Sequence, residues 1–178
     1  RQLEDGTIIT DQDKYIKAIE TISSTSTSGK KSDEICTEEM KTEFASAIGA
    51  IAYALITQYQ ILVYVVALQR RTHDPQVMHL RRANALIRHI QRYPQSVTYE
   101  AMKCLRQLDT GSDSGFSKEA EKGYAIRGAN HCRLGKTADD RTVKHLFDSI
   151  CRSHRRVTRS TFASERHAAV DATDEMLS

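Results

Sequence analysis

A short segment near the end of the chain combines side chains that bind phosphate groups. It contains four arginines within eight positions, Arg152, Arg155, Arg156 and Arg159, and is followed by Ser160. Guanidinium groups form paired hydrogen bonds with phosphate oxygens, and hydroxyl groups add neutral donors. This combination is typical of contact with a nucleic-acid backbone. Acidic partners in a larger assembly would suit the same arginines equally well.

Three short motifs occur in a fixed order around this segment. The first is Ser112-Asp113-Ser114-Gly115-Phe116, the second is Lys122-Gly123-Tyr124, and the third is Arg159-Ser160-Thr161 followed by Glu165. In this order they resemble the Asp-Ala-Ser-Phe element, the Gly-Tyr strand and the Arg-Ser-Thr-x-x-x-Glu signature of the RNase H region in copia-type retrotransposon Pol polyproteins. Three elements in the family order are more specific than any one of them.

The resemblance extends over nearly the whole chain. Residues 3–12 are similar to the hairpin that closes the polymerase part of these polyproteins, and Phe44 to Tyr53 resembles their Phe-x-x-x-Ile-Gly-x-x-x-(Trp/Tyr) helix. The resemblance implies the C-terminal end of a reverse transcriptase joined to the N-terminal part of an RNase H domain. It also implies that the partners are an RNA–DNA hybrid and the rest of the polyprotein.

The resemblance further implies a chemistry. RNase H enzymes hydrolyse the RNA strand of a hybrid with two Mg²⁺ ions held by carboxylates, and the matching residues here are Asp113 and Glu165. The family's two other aspartates lie on strands after the helix, whereas this chain ends at Ser178. We therefore expect an incomplete site, weak Mg²⁺ binding and no activity of the chain alone, which leaves its status as an enzyme uncertain. The alternative is a domesticated, non-catalytic structural or interaction subunit.

Taken without the resemblance, both carboxylates have ordinary interpretations. Asp113 follows Gly111 and Ser112, and aspartate is a common turn former. Glu165 alone is typical of a solvated helix position. The composition adds a constraint, because a net charge of +3 over 178 residues requires any nucleic-acid affinity to come from local basic patches.

The cysteines predict neither a zinc site nor a disulfide framework. The four are widely spaced and include no Cys-x-x-Cys pair. We expect reduced thiols in an intracellular protein.

The first 36 residues suggest a hairpin, a helix and a linker. Asp5-Gly6 favours a tight turn, and Thr10 or Asp11 can begin a short helix. That helix would bury Tyr15, Ile16, Ile19 and Ile22. We assign residues 1–22 to the end of the reverse transcriptase and residues 23–36, which are rich in Ser, Thr, Gly and Lys, to a flexible linker.

The next part, 37–95, is predicted to be a helical connection segment. Thr37 with Glu38 and Glu39 indicates a helix start. No charged residue occurs between Glu43 and Arg70, so this stretch is either a membrane-buried helix or two packed soluble helices separated by the polar residues 57–60. A further helix begins near Pro75 and ends at Pro94.

That last helix has two distinct faces. Leu80, Ala83, Ile87 and Ile90 recur at helical spacing on one side. Arg81, Arg88 and Arg92 project from roughly the opposite side, where they form either a solvated basic face or a phosphate contact.

From residue 96 onwards the pattern changes to strands, at 97–99, 104–108 and 123–127, with turn-rich segments at 109–114 and 128–140. Residues 143–151 fit a strand or a short helix. Thr161 to Leu177 fits a helix whose sheet-facing residues would be Phe162, Ala169, Val170, Thr173 and Leu177. The expected fold is α+β, with a hairpin and helical connection segment followed at 96–178 by a partial, truncated RNase H-like sheet and one packed helix.

Overall fold

The computed structural model describes residues 1–23, 27–115, 126–153 and 160–177. Helices and small antiparallel sheets occur together, which confirms the α+β prediction. The chain divides into two compact units, one of Thr10–Val97 and one of Arg1–Ile9 together with Thr98–Ser178. The later boundary between these units lies after Val97. The first nine residues, however, belong with the C-terminal part.

The unit Thr10–Val97 is helical. Its helices are α1 (Asp13–Ala18), α2 (Glu38–Ala54), α3 (Leu62–Gln69) and α4 (Val77–Arg92), with a 3₁₀ turn at Tyr59–Ile61. Their apolar faces form one core, and the predicted face of α4 is confirmed as fully buried. The core side chains with no exposed surface include Ile16, Phe44, Ile51, Val65, Leu80, Ile87 and Ile90.

The helix starts follow from local hydrogen bonds. At α2 the Thr37 hydroxyl accepts the Met40 backbone N–H at 3.4 Å, which confirms the predicted start. The helix α1 begins after Gln12 rather than at Thr10 or Asp11. The Gln12 side chain does not cap it and instead donates to the Tyr53 carbonyl oxygen near the end of α2 at 3.3 Å. The helix α4 begins at Val77, two residues beyond Pro75, and Gln76 and His79 cap it reciprocally.

A buried polar network breaks the uncharged stretch between α2 and α3. Thr57 and Gln58 are both fully buried. The Gln58 amide donates to the Gln95 carbonyl oxygen at 3.1 Å and to the Thr57 hydroxyl at 3.2 Å, while its own oxygen accepts from Gln60. The Thr57 hydroxyl in turn donates to Gln12 Oε1 at 3.0 Å.

These bonds satisfy polar groups that would otherwise be costly inside the core. They fix the turn between the two predicted helices. Within the described residues, no helix has the length and apolar character that crossing a membrane requires.

Replacing Gln58 with Leu should destabilise the fold by about 1–3 kcal/mol, because the buried partners of its amide lose their hydrogen bonds. The matched control is Gln60→Leu, at an exposed position of the same network, which should cost less than about 1 kcal/mol. Urea unfolding measures both. Equal losses for the two variants would contradict a structural role for the buried amide.

Part of the predicted linker is held against α4. The Arg81 guanidinium donates to the Ser32 hydroxyl at 2.8 Å and to the backbone carbonyls of Thr27 and Lys30 at 3.1 and 2.8 Å. Backbone N–H groups of Val77 and Met78 donate to Glu34 and Ser32. The described part of the segment 23–36 is therefore attached to the helical unit rather than free, and residues 24–26 lie outside the described residues.

Amide side chains of α4 attach the segment that follows α1. Asn84, which is buried, accepts from the Ile22 backbone N–H at 2.8 Å and donates to the Ile22 carbonyl at 2.9 Å. The Gln91 amide donates to the carbonyls of Ile16 and Ile19. These bonds keep Ile19 and Ile22 buried although α1 ends at Ala18.

The second unit contains the predicted N-terminal hairpin and the C-terminal sheet. The hairpin turns at Gly6, whose φ of +85° suits glycine, and Asp5 accepts hydrogen bonds from the backbone and hydroxyl of Thr7. Strand β1 (Ile8–Thr10) pairs with β2 (Val97–Tyr99). Strands β3 (Cys104–Gly115), β4 (Ile126–Lys136) and β5 (Thr142–Ser153) form an antiparallel sheet in that order, and helix α5 (Thr161–Leu177) packs on it.

Two predictions about the strands are wrong. Residues 109–114 and most of 128–140 were expected to be turns, but they lie within β3 and β4, which pair continuously from Gln107–Leu134 to Gly115–Ile126. Long-range ladder bonds outweigh the local turn preference of Gly, Ser and Asp. The prediction of a Gly-Tyr strand at 123–125 lies outside the described residues.

The turn between β4 and β5 is closed by Thr137, Asp139 and Arg141. The Thr137 hydroxyl and the Arg141 guanidinium both donate to the Asp139 carboxylate, and these bonds lower the pKa of Asp139 to about 2. Asp140 adopts a φ of +63° here, a conformation that aspartate tolerates better than most side chains.

The predicted ends of α5 are correct, but its predicted orientation is wrong. Phe162 is 74% exposed, and Val170, Ala169, Thr173 and Leu177 are exposed as well. The sheet is instead contacted by small residues at helical spacing, Ser164, Ala168 and Ala172. Small side chains permit close approach, and charged neighbours of these residues form further bonds to the sheet, as described below.

Gly135→Ala should destabilise the protein by about 1–3 kcal/mol, the usual cost of overpacking. A Cβ at Gly135 would overlap the Cys104 carbonyl oxygen and the Met102 side chain. Gly111→Ala is the control in the same sheet, because no atom lies within 4 Å of its added Cβ, and it should leave stability unchanged or slightly raised. Thermal and urea unfolding of both variants measure the difference, and a neutral Gly135→Ala would refute the close approach.

Candidate functional site

The two carboxylates predicted from the resemblance lie on neighbouring elements, Asp113 on β3 and Glu165 in α5. Both are exposed. Asp113 Oδ1 accepts the backbone N–H of Ser114 at 2.8 Å. The order of elements, with β3 first and α5 last, is the order that the resemblance implies.

The residues that touch between β3 and α5 are the immediate neighbours of the predicted pair. Ser114 and Ser164, both buried, form a hydroxyl hydrogen bond. Successive side chains of a strand point to opposite faces of the sheet, so Asp113 points away from the face on which α5 packs. The geometry therefore brings the two serines together and does not bring Asp113 and Glu165 together.

The surroundings of Asp113 offer little to a shared metal ion. Its cross-strand neighbours on the same row are Gly128 and Cys151, and burial raises the pKa of the Cys151 thiol, which keeps it protonated and a poor ligand. The next carboxylate on this face of β3, Asp109, is about 13 Å away at 3.3 Å per residue. The Lys144 ammonium binds Asp109 at 2.6 Å.

Among residues 1–23, 27–115, 126–153 and 160–177, no group of three or more His, Cys, Asp or Glu side chains is placed to hold a metal ion. Asp113 and Glu165 supply the hard oxygen atoms that Mg²⁺ prefers. They do not converge, so these two residues do not fit the two-ion arrangement. The role of Asp113 and Glu165 as metal ligands stays a prediction.

The charged cluster that joins α5 to the sheet is the feature that sequence reasoning missed. Arg127 on β4 is 8% exposed. Its guanidinium lies 3.0 Å from Asp171 Oδ2 and 3.3 Å from Glu175 Oε1, and Arg152 on β5 lies 2.9 Å from the same Glu175 oxygen. We call Arg127, Arg152, Asp171 and Glu175 the charged cluster.

The register of the sheet explains the charged cluster. Ser114, Arg127 and Arg152 are direct cross-strand neighbours, and their side chains share the face that α5 covers. Two adjacent arginines would repel each other there without an acid between them. Asp171 and Glu175, four residues apart, supply that charge from one side of the helix, and this spacing was the available signal in the sequence.

The predicted phosphate-binding segment is only partly described. The Arg152 side chain is 57% exposed in spite of its bond to Glu175, and the Ser160 hydroxyl accepts the Ala163 backbone N–H at 3.2 Å at the start of α5. Arg155, Arg156 and Arg159 lie outside the described residues. Both described members therefore already have partners within the chain.

A second group of aromatic and basic residues lies along the same sheet. His131 is 1% exposed, and its Nδ1 lies 3.0 Å from the Thr110 hydroxyl. Phe147 stacks near His131, and the Arg133 guanidinium lies 5.0 Å from the Phe147 ring centre. These contacts lie near the middle of the three strands.

Comparisons with family models, with curated proteins and with solved structures find no match to this chain.

Arg127→Met should loosen α5, because the change removes the cation that two carboxylates share. We expect a loss of about 1–3 kcal/mol, below the usual value for a fully buried pair because Asp171 is half exposed. Hydrogen exchange should show that the substitution accelerates amide exchange more in α5 than in the sheet. The control is Arg141→Met, which breaks exposed pairs with Asp139 and Glu100 and should leave the free energy of unfolding nearly unchanged. Unchanged protection of α5 would show that the charged cluster does not hold the helix.

Proposed function

We propose that this chain is a fragment of a copia-type retrotransposon Pol polyprotein that binds an RNA–DNA hybrid and does not cleave it alone. The observation that supports this proposal is the order of the C-terminal unit. A strand that carries Asp113 is followed by two antiparallel strands and by a helix that carries Glu165 and packs on the sheet. This is the arrangement that the sequence resemblance implies for the start of an RNase H domain.

Hybrid binding is assigned to the end of β5 and the start of α5. Arg152 lies near the end of β5, and its side chain is more than half exposed. The segment with Arg155, Arg156 and Arg159 follows, and Ser160 directly precedes α5, where its hydroxyl accepts the Ala163 backbone N–H. No acidic residue occurs in the first turn of α5, so the positive end of the helix dipole adds to the attraction for phosphate. This surface recognises backbone rather than base sequence.

The placement of the carboxylates is the reason that we expect no cleavage of the bound hybrid. Phosphodiester hydrolysis with two Mg²⁺ ions needs ligands that converge on shared ions. Asp113 and Glu165 instead flank the Ser114–Ser164 contact on different sides. By this proposal, Mg²⁺ binds weakly, at single carboxylates, and supplies no catalytic clamp.

The alternative function is a non-catalytic structural or interaction subunit of a larger assembly. The observation in its favour is the outer face of α5, where Phe162, Val170 and Leu177 are exposed. Large exposed apolar side chains on one helix are typical of a protein contact. In this alternative the arginines of the segment 152–159 meet acidic partners.

Salt dependence of hybrid binding separates these two functions. Each neutralised phosphate releases counterions, so log K falls by roughly 0.9 per contact for each decade of salt. Replacing Arg155 and Arg156 with Ala should therefore reduce the slope by up to about two units without creating a sequence preference. Fluorescence anisotropy of a labelled hybrid measures the slope.

The matched control for the binding test is the double variant Lys14→Ala, Lys17→Ala. Both positions are exposed on α1, and the double variant changes the net charge by the same amount as the Arg155/Arg156 variant. An unchanged slope in the Arg155/Arg156 variant, or no binding at low salt, would favour the interaction subunit. Incubation of the same hybrid with Mg²⁺ should leave it intact. Cleavage that disappears in Asp113→Asn would overturn the claim that the chain does not cleave.

A further inference from the structure

The exposed face of α4 carries only positive charge. The helix Val77–Arg92 contains no Asp or Glu, and its apolar side faces the core of the unit. Successive residues are rotated by about 100°, which places the exposed basic side chains within one arc of the helix surface. These side chains belong to Arg81, Arg82, Arg88, His89 and Arg92.

One member of this face has a structural task. Arg81 uses its guanidinium to hold residues 27–32 through three hydrogen bonds. Because of these bonds the exposed Lys31 side chain belongs to a segment fixed beside α4. By holding this segment, Arg81 keeps the Lys31 side chain beside the basic face of α4, while its own guanidinium donors are occupied.

The other arginines of this face have no acidic partner among the residues that the structure describes. Within the described part of the chain, Arg82, Arg88 and Arg92 form no ion pair, and the Arg92 guanidinium lies 5.5 Å from the ring centre of Tyr93. By contrast, Arg127, Arg141 and Arg152 of the other unit are each paired with carboxylates. We call Arg82, Arg88 and Arg92 the α4 arginine row.

The length of the α4 arginine row and the residues around it indicate which class of partner it binds. Ten residues separate Arg82 from Arg92, which is about 15 Å along a helix, so the partner must carry several regularly spaced anionic groups. A lipid surface is disfavoured because membrane-bound helices insert an apolar face, and here Leu80, Ile87 and Ile90 are buried. Single strands are bound by successive stacking aromatics. The helix α4 contains no Phe, Tyr or Trp, and the ring of Tyr93, directly after it, already packs against His89 at 5.4 Å between ring centres.

We propose that the α4 arginine row binds the phosphate backbone of a nucleic-acid duplex without sequence preference. The proposal stands on the unit Thr10–Val97 alone and does not rest on the function proposed for the C-terminal unit. It gives the chain a second contact with duplex nucleic acid, made by residues that the RNase H resemblance does not assign.

The test uses the full chain with Arg82, Arg88 and Arg92 all replaced by Gln. If each contacts a phosphate, the slope of log K against log salt for a mixed-sequence DNA duplex should fall by up to about three units. The control is the combination Lys14→Gln, Lys17→Gln and Arg106→Gln, three exposed positions with the same change of charge. Its slope should change by less than about one unit.

Three results would overturn the proposal. They are an unchanged slope in the α4 variant, an equal fall in the control, and binding to phosphatidylserine vesicles that the α4 variant loses while duplex binding persists. Circular dichroism melting of each variant verifies that the helical unit remains folded. A fall in slope that is confined to the α4 variant, beside an unchanged Arg155/Arg156 variant, would support this inference and reject the assignment of hybrid binding to the end of β5 and the start of α5.

Discussion

Arg127 is the constraint on which the C-terminal unit depends. A guanidinium that is nearly excluded from water must keep acidic partners, and Asp171 and Glu175 are both on α5. Their positions fix the rotation of that helix about its axis. The same rotation turns Ser164 towards Ser114 and turns the apolar stripe with Phe162 outward. The rotation of α5 therefore sets the direction of Glu165, while the alternation of side chains along β3 directs Asp113 to the opposite face of the sheet.

In the helical unit, buried polar side chains are satisfied by neutral hydrogen-bonding groups rather than by charges. Thr57 and Gln58 are buried, and their hydrogen bonds reach residues 12, 60 and 95. Asn84 and Gln91 of α4 do the same for the segment after α1. Amides and hydroxyls satisfy one another without the desolvation cost of ions. One side of α4 is therefore committed to the core and its polar contacts, and its arginines are left on the surface.

The sequence predicted what depends on local pattern. The face of α4 with Leu80 and Ile87 is apolar at helical spacing, and Thr37 is a typical helix start, so both were predicted correctly. The orientation of α5 was not, because Ala168 and Ala172 carry a weak hydrophobic signal while Phe162 carries a strong one. The bond between Arg127 and Glu175 joins residues 48 positions apart, and no local sequence pattern predicts it. In β3, Gly111 and Ser112 favour a turn locally, but ladder pairing with β4 outweighs that preference.

The pairing of β1 with β2 has a consequence for how the chain is made. Because Ile8–Thr10 pairs with Val97–Tyr99, the helical unit is an insertion between two pieces of the other unit. During synthesis the helices can pack as soon as residue 97 has left the ribosome, since their contacts lie within the insertion. The first nine residues must wait for partners made much later, and closing so long a loop is entropically costly. A helical unit that is already folded shortens the effective distance between the ends of that loop, so the two units are expected to fold in sequence, with the inner one first.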